Sequence, residues 1–365
     1  MKKKIVIASL LKPVDDVRAY WKLSQSMAKT NKYEVNIIGN SGKKEKDEKN
    51  IKFLHHKLDR KNWLKRLVIR ELIFFRILRI RPSLLIITTH ELLNNALLIK
   101  LITGCKVVYD VQENHGLNLS SINPTLLKKI LSKFIRLKET FSRRFVDQFW
   151  LAESCYAEEL SFVQDKFLIL ENKALDLPYP RRDFSSISML FSGTISDYGG
   201  VRRAVGLFYK IQSDSPKTTL KIIGQVHDSS LKNWLESEQK NNPGLMLNIS
   251  TTPVPYDQIL EAIFEANLGI IGYEPSEVNR EKIPTKLYEY SRYRLPFLVK
   301  KNTKWSKVGL RLGAAIPVAF DEENHSKISE TFKNVDSFLT KTYPEDATWE
   351  NESVKAVNSI ETLIN

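Results

Sequence analysis

The segment PTKLYEY combines a helix start with two opposite charges, a pattern that suits a ligand carrying phosphate and hydroxyl groups. Pro284 has a fixed φ and no N–H, so it suits the first position of a helix. The amides of Thr285, Lys286 and Leu287 would then lack intrahelical partners, and the helix dipole would favour an anion beside them. Lys286 could neutralise a phosphate, whereas Glu289 could accept hydrogen bonds from sugar hydroxyls. The alternative from these residues alone is a Lys–Glu pair on a solvent-exposed first turn.

Short apolar runs bounded by polar residues or glycine alternate with amphipathic stretches along the chain, the first of which is predicted over 15–29. This alternation is typical of parallel sheets covered by helices on both faces, and it repeats once. We therefore predict an α/β fold with two doubly wound domains, which bind ligands beyond the carboxyl ends of their strands. The predicted strands are KKIVIAS, YEVNIIG, SLLIIT, CKVVYD and DQFWLA in the first half, and SISMLFSG, TTLKIIG, LMLNIS, ANLGIIGY, LPFLV and AIPVAF in the second.

The segment ENKALDLPYPRRDFSS, with two prolines and two adjacent arginines, predicts the boundary between these domains. We place the N-terminal domain at residues 1–178 and the C-terminal domain at residues 185–345. Residues 346–365 are predicted to form a helix that packs back on the N-terminal domain.

The C-terminal domain is predicted to open with a glycine-rich turn between a strand and a helix. In LFSGTISDYGGV the strand would end at Ser192 and the helix would begin near Val201, with Arg202 in its first turn. The spacing is neither GxGxxG nor a P-loop, and such turns often exist to let the backbone turn tightly. The turn nevertheless places N–H groups and a helix start where an anion could bind. Its glycines are Gly193, Gly199 and Gly200.

The chain has a formal net charge of +14 at pH 7, and much of the excess lies in two amphipathic segments. Residues 60–82 and 124–145 each predict a helix with Lys and Arg around an apolar stripe. These helices either present solvated basic faces or bind anionic lipid headgroups or a phosphate-bearing substrate. Nucleic acid is not an expected partner, because no recognition motif, zinc-ligand spacing or array of stacking aromatic residues occurs.

Other features of the sequence predict a cytoplasmic location. Cys105 and Cys155 form no CxxC pair, which suits a reducing compartment. The N-terminal MKKKIVIASLLKP predicts a first buried strand rather than a signal peptide, because its apolar run is short and lacks a small-residue cleavage site. No stretch approaches the roughly 20 apolar residues of a membrane span. No HExxH, DxD or paired Cys/His spacing predicts a metal site.

Several segments resemble, in order, the retaining nucleotide-sugar glycosyltransferases of the GT-B family-four group. PTKLYEYSRYRLPFLV resembles their P-x-K-x-x-E-Y segment, FSGTISDYGGV the first strand, loop and helix of their donor domain, and TTPVPYDQILEAIFEANLGIIGY the segment where the base packs. LLKPVDDVRAYWKLSQSMAKTNKYEVNIIG is similar to the opening of their acceptor domain, and TTHELLNN and VVYDVQENH to its strand ends facing the cleft. The resemblance implies the GT-B fold, with two Rossmann-like, doubly wound domains facing across a cleft.

The resemblance also implies roles for individual residues. Glu281 and Glu289 have the eight-residue spacing of two glutamates that flank the donor loop, so Glu289 would bind ribose and Glu281 would lie beside the donor sugar. His90 and Glu113 are the implied catalytic contacts from the N-terminal domain. The implied acceptor-binding residues are Asp16, Arg18 and Asp110. The implied nucleotide-binding residues are Gly193, Thr194, Gly199, Gly200, Arg202, Thr285, Lys286, Leu287 and Glu289, with a UDP- or GDP-sugar as donor and no metal or other cofactor.

Two departures from the group's pattern bear on activity. Thr194 and Tyr198 or Gly199 stand where many members have an Arg and a Lys that hold the pyrophosphate, which leaves Lys286, with help from Arg202, as the main cation. Gln112 stands where a histidine is usual. These departures favour a rival interpretation, a catalytically inactive GT-B subunit that binds or scaffolds. A sugar-nucleotide epimerase on the same fold is a second rival.

We predict a retaining glycosyltransferase of hexosyl type that acts in bacterial surface polysaccharide synthesis. The acceptor is predicted to be a glycan, linked to lipid. The two basic helices are predicted to hold the enzyme on the inner face of the cell membrane, where such an acceptor lies.

Overall fold

In the computed structural model the chain folds into two compact units, each built on one parallel sheet. The structure describes residues 2–41, 46–58, 62–121, 125–320, 332 and 345–364. The first unit comprises Met1–Asn172 and Trp349–Asn365, and the second comprises Lys173–Thr348. Positions 60, 61 and 124 at the start of the predicted basic helices, and most of 321–344 in the predicted C-terminal domain, lie outside the described residues.

Seven parallel strands form the sheet of the first unit within the described residues. They are β1 (Lys3–Pro13), β2 (Tyr33–Asn40), β3 (Ile51–His56), β4 (Leu84–Ile87), β5 (Lys106–Val111), β6 (Gln148–Leu151) and β7 (Phe167–Ile169), in the spatial order β3-β2-β1-β4-β5-β6-β7. The predictions of β1, β2, β4, β5 and β6 are confirmed. β3 and β7 were not predicted, because both are edge strands, which need no continuous apolar run.

The helices of the first unit lie on both faces of this sheet. They are a π-helix (Val17–Ser24) that continues into α1 (Gln25–Lys29), α2 (Trp63–Ile80), a 3₁₀ turn (His90–Leu92) that continues into α3 (Leu93–Thr103), α4 (His115–Ser121), α5 (Leu126–Ser142), α6 (Tyr156–Glu159) and the C-terminal helix (Trp349–Ile364). Because α2, α3 and α5 connect strands that advance in one direction across the sheet, right-handed crossovers place them on the same face. None of the described helices is long and apolar enough to cross a bilayer.

Six parallel strands form the sheet of the second unit within the described residues, and all six were predicted. They are β8 (Ser188–Ile195), β9 (Thr219–Val226), β10 (Leu245–Ser250), β11 (Leu268–Ile271), β12 (Phe297–Lys300) and β13 (Ala315–Val318), in the order β10-β9-β8-β11-β12-β13. The helices among its described residues are α7 (Val201–Asp214), α8 (Ser229–Asn241), α9 (Tyr256–Glu265), α10 (Thr285–Arg292), α11 (Lys304–Arg311) and a 3₁₀ turn (Glu345–Ala347). β8 does not end at Ser192 as predicted, because its pairing with β9 continues to Ile195.

The strand order of each sheet reverses once, and the reversal determines where a ligand fits. In the second unit the chain runs outward from β8 to β10, then returns to pair β11 on the other side of β8. In the first unit the same reversal falls between β1 and β4. Loops that leave neighbouring strands in opposite directions open a crevice at the carboxyl ends, where doubly wound sheets bind ligands.

Candidate functional site

A glycine-rich turn lies where the strand order of the second unit reverses, and its backbone leaves little room for larger residues at the glycine positions. Gly193, at the end of β8, has φ +100°, and Gly200, at the N-cap of α7, has φ +85°, a region that strains L-residues. A Cβ on Gly200 would lie 1.9 Å from the carbonyl oxygen of Gly272, which follows β11. A Cβ on Gly193 would lie 3.7 Å from Nζ of Lys286. The turn therefore brings the ends of β8 and β11 together beside a lysine.

Lys286, in the first turn of α10, points its ammonium at this turn. The residue is 7% exposed, and Nζ donates a hydrogen bond of 2.5 Å to the carbonyl oxygen of Ser192. The ammonium lies 4.9 Å from the ring centroid of Phe191 and 5.1 Å from that of Tyr273. Among the described residues, no carboxylate forms an ion pair with it. Because buried charges are costly unless paired, this cation is suited to an anion supplied from outside the protein.

The start of α10 differs in two details from the sequence prediction. Pro284 is the N-cap residue, one position before the first helical residue. The amide of Leu287 donates to the carbonyl oxygen of Pro284 at 2.8 Å, so the prediction that this amide faces an anion is wrong. In the described part of the chain no acceptor is shown for the amides of Thr285 and Lys286. These two amides therefore remain at the positive end of the helix dipole.

Glu289 lies one turn further along α10 and is buried, at 5% exposure. The phenol of Tyr256, the first residue of α9, donates to its Oε1 at 2.9 Å. Burial, followed by the negative charge of Glu289, raises the pKa of Tyr256 well above its usual range, so the phenol remains a donor. An ionised carboxylate can accept about four hydrogen bonds, so this contact does not exclude hydroxyl ligands.

The two arginines in the first turn of α7 have different partners. Nε of Arg202 donates to Oδ1 of Asp197 at 2.8 Å, and its guanidinium lies 4.2 Å from the ring centroid of Trp234. Arg203 donates to the carbonyl oxygen of Gly272 at 2.7 Å and so ties α7 to the end of β11. Arg202, the second phosphate contact predicted from sequence, is thus engaged by an acidic neighbour, whereas Lys286 is not.

The end of β8 and the loop that leads to α7 contain the remaining predicted nucleotide-binding residues. Thr194 is exposed, and Gly199 is buried with its amide donating to the hydroxyl of Ser196 at 2.9 Å. The hydroxyls of Tyr198 and Ser276 lie 2.7 Å apart. Residues 193–200 include no Lys or Arg, so the cation beside Gly193 is Lys286 of α10.

Glu281 lies in the turn before α10, at a cavity of about 380 Å³. The cavity is also lined by Arg280, Lys304, Trp305 and Lys307. Nζ of Lys304 donates to the carbonyl oxygen of Glu281 at 2.8 Å and lies 3.6 Å from its Oε2. The Glu281 side chain is 57% exposed. A carboxylate accessible to solvent, three cations and an indole ring therefore share one concave surface.

In the first unit, Arg18 and Asp110 form a buried ion pair. Nε of Arg18 donates to both carboxylate oxygens at 3.0 and 2.9 Å, and Nη1 donates to the carbonyl oxygen of Leu170 at 2.8 Å. The two side chains are 3% and 0% exposed. Each side chain is buried and bonded within the protein, which gives the pair a structural role, and their contact with an acceptor stays a prediction. Asp16, the third predicted acceptor contact, caps the π-helix by accepting from the amides of Arg18 and Ala19.

Gln112 extends this ion pair. Its Nε2 donates to Oδ2 of Asp110 at 2.6 Å, and its Oε1 accepts from Nζ of Lys12. One planar amide thus satisfies a buried carboxylate and a lysine together, which accounts for a glutamine at this position without reference to catalysis.

His90 and Glu113 meet through a third residue, His115. The imidazole centroids of His90 and His115 are 4.8 Å apart, and Oε2 of Glu113 lies 3.9 Å from Nδ1 of His115. Burial, followed by the charges of His115, Lys138 and Arg66, lowers the pKa of His90 to about 3. His90 is therefore neutral at physiological pH: it can exchange hydrogen bonds but cannot supply positive charge. The described residues include no group of three His, Cys, Asp or Glu arranged to hold a metal ion.

Comparison with known proteins gives matches at the level of structure. No protein-family model matches the chain, and no curated protein matches its sequence. The sucrose-phosphate synthase of Thermosynechococcus elongatus is 9% identical, with a TM-score of 0.73 over 99% of both chains. The HepE protein of Anabaena, in complex with UDP and glucose, is 12% identical, with a TM-score of 0.64 over 99% of this chain and 100% of that one. The chain has the GT-B fold.

The GT-B fold is not restricted to transferases. A putative UDP-N-acetylglucosamine 2-epimerase from Listeria monocytogenes is 11% identical to this chain, with a TM-score of 0.63 over 99% of this chain and 96% of that one. At such identities the likeness is one of fold. The reaction must therefore be argued from the residues at the strand ends.

Two residues that shape this site, Tyr256 and Tyr273, were not predicted from sequence, and Arg203 was noted at the helix start without its partner Gly272. Tyr256 stands 33 positions before Glu289, and Arg203 stands 69 positions before Gly272. No local pattern connects residues at these separations. Tyr256 follows Pro255 at the start of α9, much as Lys286 lies just after Pro284 at the start of α10. This proline was the local signal from which Tyr256 could have been predicted as a site residue.

Proposed function

We propose that this protein is a glycosyltransferase that moves a sugar from a nucleoside diphosphate to an acceptor. One observation carries the proposal: the ammonium of Lys286 is buried against Gly193 at the carboxyl end of β8, and no carboxylate of the described chain pairs with it. A diphosphate is the anion that such a site in a doubly wound sheet most often takes.

The neighbouring residues divide the remaining tasks of such a site. Glu289, oriented by Tyr256, would accept hydrogen bonds from ribose hydroxyls. Glu281 would contact the donor sugar from the adjacent cavity. The amides of Thr285 and Lys286, with the Lys286 ammonium, would stabilise the diphosphate, whose negative charge grows as the glycosidic bond breaks.

We propose that transfer proceeds with retention, as in the family-four group that the sequence resembles. The bond between the anomeric carbon and the diphosphate oxygen breaks, and the acceptor oxygen bonds to the anomeric carbon. The proton of the acceptor hydroxyl passes to the departing phosphate, so no separate protein base is required. This suits the neutral His90, which would contribute hydrogen bonding rather than charge.

The acceptor that we propose is a lipid-linked glycan of a bacterial surface polysaccharide, used at the inner face of the cell membrane. The support is electrostatic: α2 and α5 carry five Lys or Arg residues each and one Glu each. Each Lys or Arg near an anionic membrane surface contributes about 1 kcal/mol to binding.

A nucleotide screen tests the proposal. UDP, GDP, dTDP and ADP are added to the purified protein, and a nucleotide that binds the native state should raise its melting temperature. Lys286→Met, which approximately keeps the side-chain volume and removes the charge, should reduce the shift at a given nucleotide concentration. A wild type that responds to none of the four, or a variant that responds like the wild type, would contradict the assignment.

An epimerase is a second candidate, because the structures that this chain matches include a putative UDP-N-acetylglucosamine 2-epimerase. Incubation of the protein with a sugar nucleotide and no acceptor separates the reactions. An epimerase converts the sugar while it remains bound to the nucleotide, as proton NMR detects, whereas a transferase releases nucleotide only with an acceptor or water. Binding without either conversion would identify an inactive GT-B subunit.

A further inference from the structure

The outer surface of three neighbouring helices in the first unit is strongly apolar. α2 packs against α3, and α3 packs against α5. Of the nineteen exposed large hydrophobic side chains among the described residues, fifteen lie on these three helices. We call their solvent-facing surface the α2–α3–α5 face. Its most exposed members include Val68 at 69%, Phe75 at 65%, Leu101 at 73% and Phe134 at 65%.

These side chains are not the core-facing stripe of each helix. On α2, Leu64, Val68 and Phe75 recur at helical spacing on the outside, while Ile73 and Ile77 are buried in the core of the unit. The helix is therefore apolar on two sides, one of which faces solvent. Isolated exposed leucines are ordinary, but an apolar surface extending over three adjacent helices marks a binding surface.

The charge of the same helices indicates what covers the face. α2, α3 and α5 together carry eleven Lys or Arg residues and two acidic residues, Glu71 and Glu139. Glu139 is buried, and Glu71 is paired with Arg70. Lys65 and Lys129 are exposed among the apolar side chains. A partner must therefore offer both apolar contact and negative charge.

A second copy of this chain meets that requirement poorly. A two-fold interface places the same patch on both sides, so it would bring the cations of one copy against those of the other. Like charges opposed across an interface are unfavourable. An anionic bilayer offers phosphate groups at its surface and acyl chains just beneath, which matches basic side chains around apolar ones.

We propose that the α2–α3–α5 face inserts its apolar side chains into the interfacial region of an anionic bilayer, with its lysines at the lipid phosphates. This inference rests on the proposed function, which places the enzyme at a membrane, and it specifies how the enzyme binds there. Insertion predicts that the protein stays on the membrane when salt screens the charges, since apolar burial is not screened.

The test uses co-sedimentation of the full chain with vesicles of phosphatidylcholine and phosphatidylglycerol. Wild type should pellet at low salt and keep a bound fraction at high salt. The combined variant Phe75→Ser, Leu101→Ser, Phe134→Ser should partition at least about tenfold more weakly, because full burial of one such side chain is worth about 1.5–3 kcal/mol, or about tenfold or more in affinity. The bound fraction that remains in this variant should be released by salt.

The matched control replaces three exposed apolar residues outside the face, Met246→Ser, Leu310→Ser, Val354→Ser. It should pellet like the wild type at both salt concentrations. All six positions are solvent-exposed, so circular dichroism should show an unchanged fold. A face variant that pellets like the control would overturn the inference, as would complete release of the wild type by high salt.

Two further measurements decide between occupants. Phe134→Trp adds a fluorescent indole to the α2–α3–α5 face, and brominated acyl chains should quench its emission. If the protein is bound and this emission is not quenched, the face adsorbs without insertion and the inference is wrong. If lipid-free wild type sediments as a dimer and the face variant as a monomer, the occupant is a second copy and the inference is wrong. The nucleotide screen needs no vesicles, so a failure here with nucleotide binding intact leaves the proposed sugar transfer standing.

Discussion

Lys286 is a buried cation whose partners within the described chain are a carbonyl group and two aromatic rings. A lysine with a structural role would be expected to pair with a carboxylate, because removal from water must be offset. The aromatic rings and the Ser192 carbonyl offset part of that cost. The part of the desolvation cost that is not offset is expected of a lysine that binds a ligand. Substitution of Lys286 should therefore change ligand affinity more than the free energy of unfolding.

We expect Lys286→Met to weaken nucleoside diphosphate binding by about 1.5–3 kcal/mol, the range for charge-assisted hydrogen bonds, without lowering the free energy of unfolding by a similar amount. Calorimetric titration measures the first quantity and denaturant unfolding the second. Lys221→Met is the control, because Lys221 pairs with Glu265 outside the site. Equal affinity in wild type and Lys286→Met would place the diphosphate elsewhere.

Glu289→Gln tests the ribose contact with little change in shape, since the amide oxygen can still accept from Tyr256. We expect this variant to bind UDP or GDP about 1.5–3 kcal/mol more weakly. Its affinity for the corresponding 2′,3′-dideoxynucleotide should equal that of the wild type, because the hydroxyls that Glu289 accepts from are absent. A loss of the same size for both nucleotides would indicate an indirect effect through packing.

Glu281 should affect turnover more than nucleotide affinity, since its carboxylate lies in the cation-lined cavity before α10 rather than at the glycine-rich turn. We expect Glu281→Gln to lower kcat while the Kd for the free nucleotide changes little. Steady-state kinetics and calorimetry on the same preparation measure the two quantities. Parallel losses of kcat and affinity would assign Glu281 to nucleotide binding instead.

At the scale of elements, the crevice of the second unit depends on the contact between the β8–α7 turn and the end of β11. Gly200 lies against Gly272, and Arg203 donates to the same carbonyl. α10 follows β11 in the chain, so this contact also determines where Lys286 stands relative to Gly193. The glycine-rich turn therefore has a positioning role whether or not its own amides contact a ligand.

The basic helices yield a prediction that depends on which cations are exposed. Arg66 is paired with Glu91, whereas Lys65, Lys129 and Lys133 are exposed. We expect the triple reversal of these lysines to glutamate to weaken binding to phosphatidylglycerol vesicles at low salt, because each reversal removes about 1 kcal/mol of attraction and adds repulsion.

Vesicle co-sedimentation measures this effect, and a thermal melt should show that the fold is retained. Reversal of Lys221, Lys232 and Lys240 in the second unit provides a charge-matched control that should still bind. Binding that responds equally to both triple variants would indicate a general effect of net charge rather than a defined surface.

At the scale of the whole molecule, Glu139 should make stability depend on pH. Burial raises the pKa of this carboxyl to about 7 from its ordinary 4.5, although the nearby Arg136 and the phenol of Tyr109 lower it. The native state then binds more protons than the unfolded state between about 4.5 and about 7, so the free energy of unfolding falls as pH rises through this window. A shift of this size corresponds to roughly 3 kcal/mol.

Glu139→Gln should remove this pH dependence and leave the protein more stable than wild type at about pH 8, as urea unfolding measures. The depressed pKa of His90 acts in the opposite direction, raising stability as pH increases from about 3 to 6.5. The difference between variant and wild type, rather than either curve alone, therefore isolates Glu139. A difference that does not change between about pH 5 and 8 would contradict the assignment.

Local periodicity in the sequence was sufficient to predict all six described strands of the second sheet and the five inner strands of the first. β1, β8 and β11 contain apolar runs too short for buried helices, and their alternation with amphipathic helices predicts parallel pairing. The edge strands β3 and β7 were not predicted, because an edge strand is partly exposed and its composition is close to that of a loop. Lys286 and Glu289 could likewise be predicted as ligand-binding residues, because Pro284 marks the helix start and all three lie within about one and a half helical turns.

Tertiary packing determined which groups Lys286 and Glu289 contact, and it determined whether several other predicted site residues are buried or exposed. Arg18 and Asp110 are charged residues near strand ends, which suggested ligand contacts, yet each is buried against the other across 92 positions. On α2, Phe75 faces solvent while Ile73 is buried, a division that the apolar pattern alone did not determine. Helix and strand formation depend on residues a few positions apart, which the sequence displays directly. Burial and charge pairing depend on which distant segments meet, and that is determined when the sheets and helices pack.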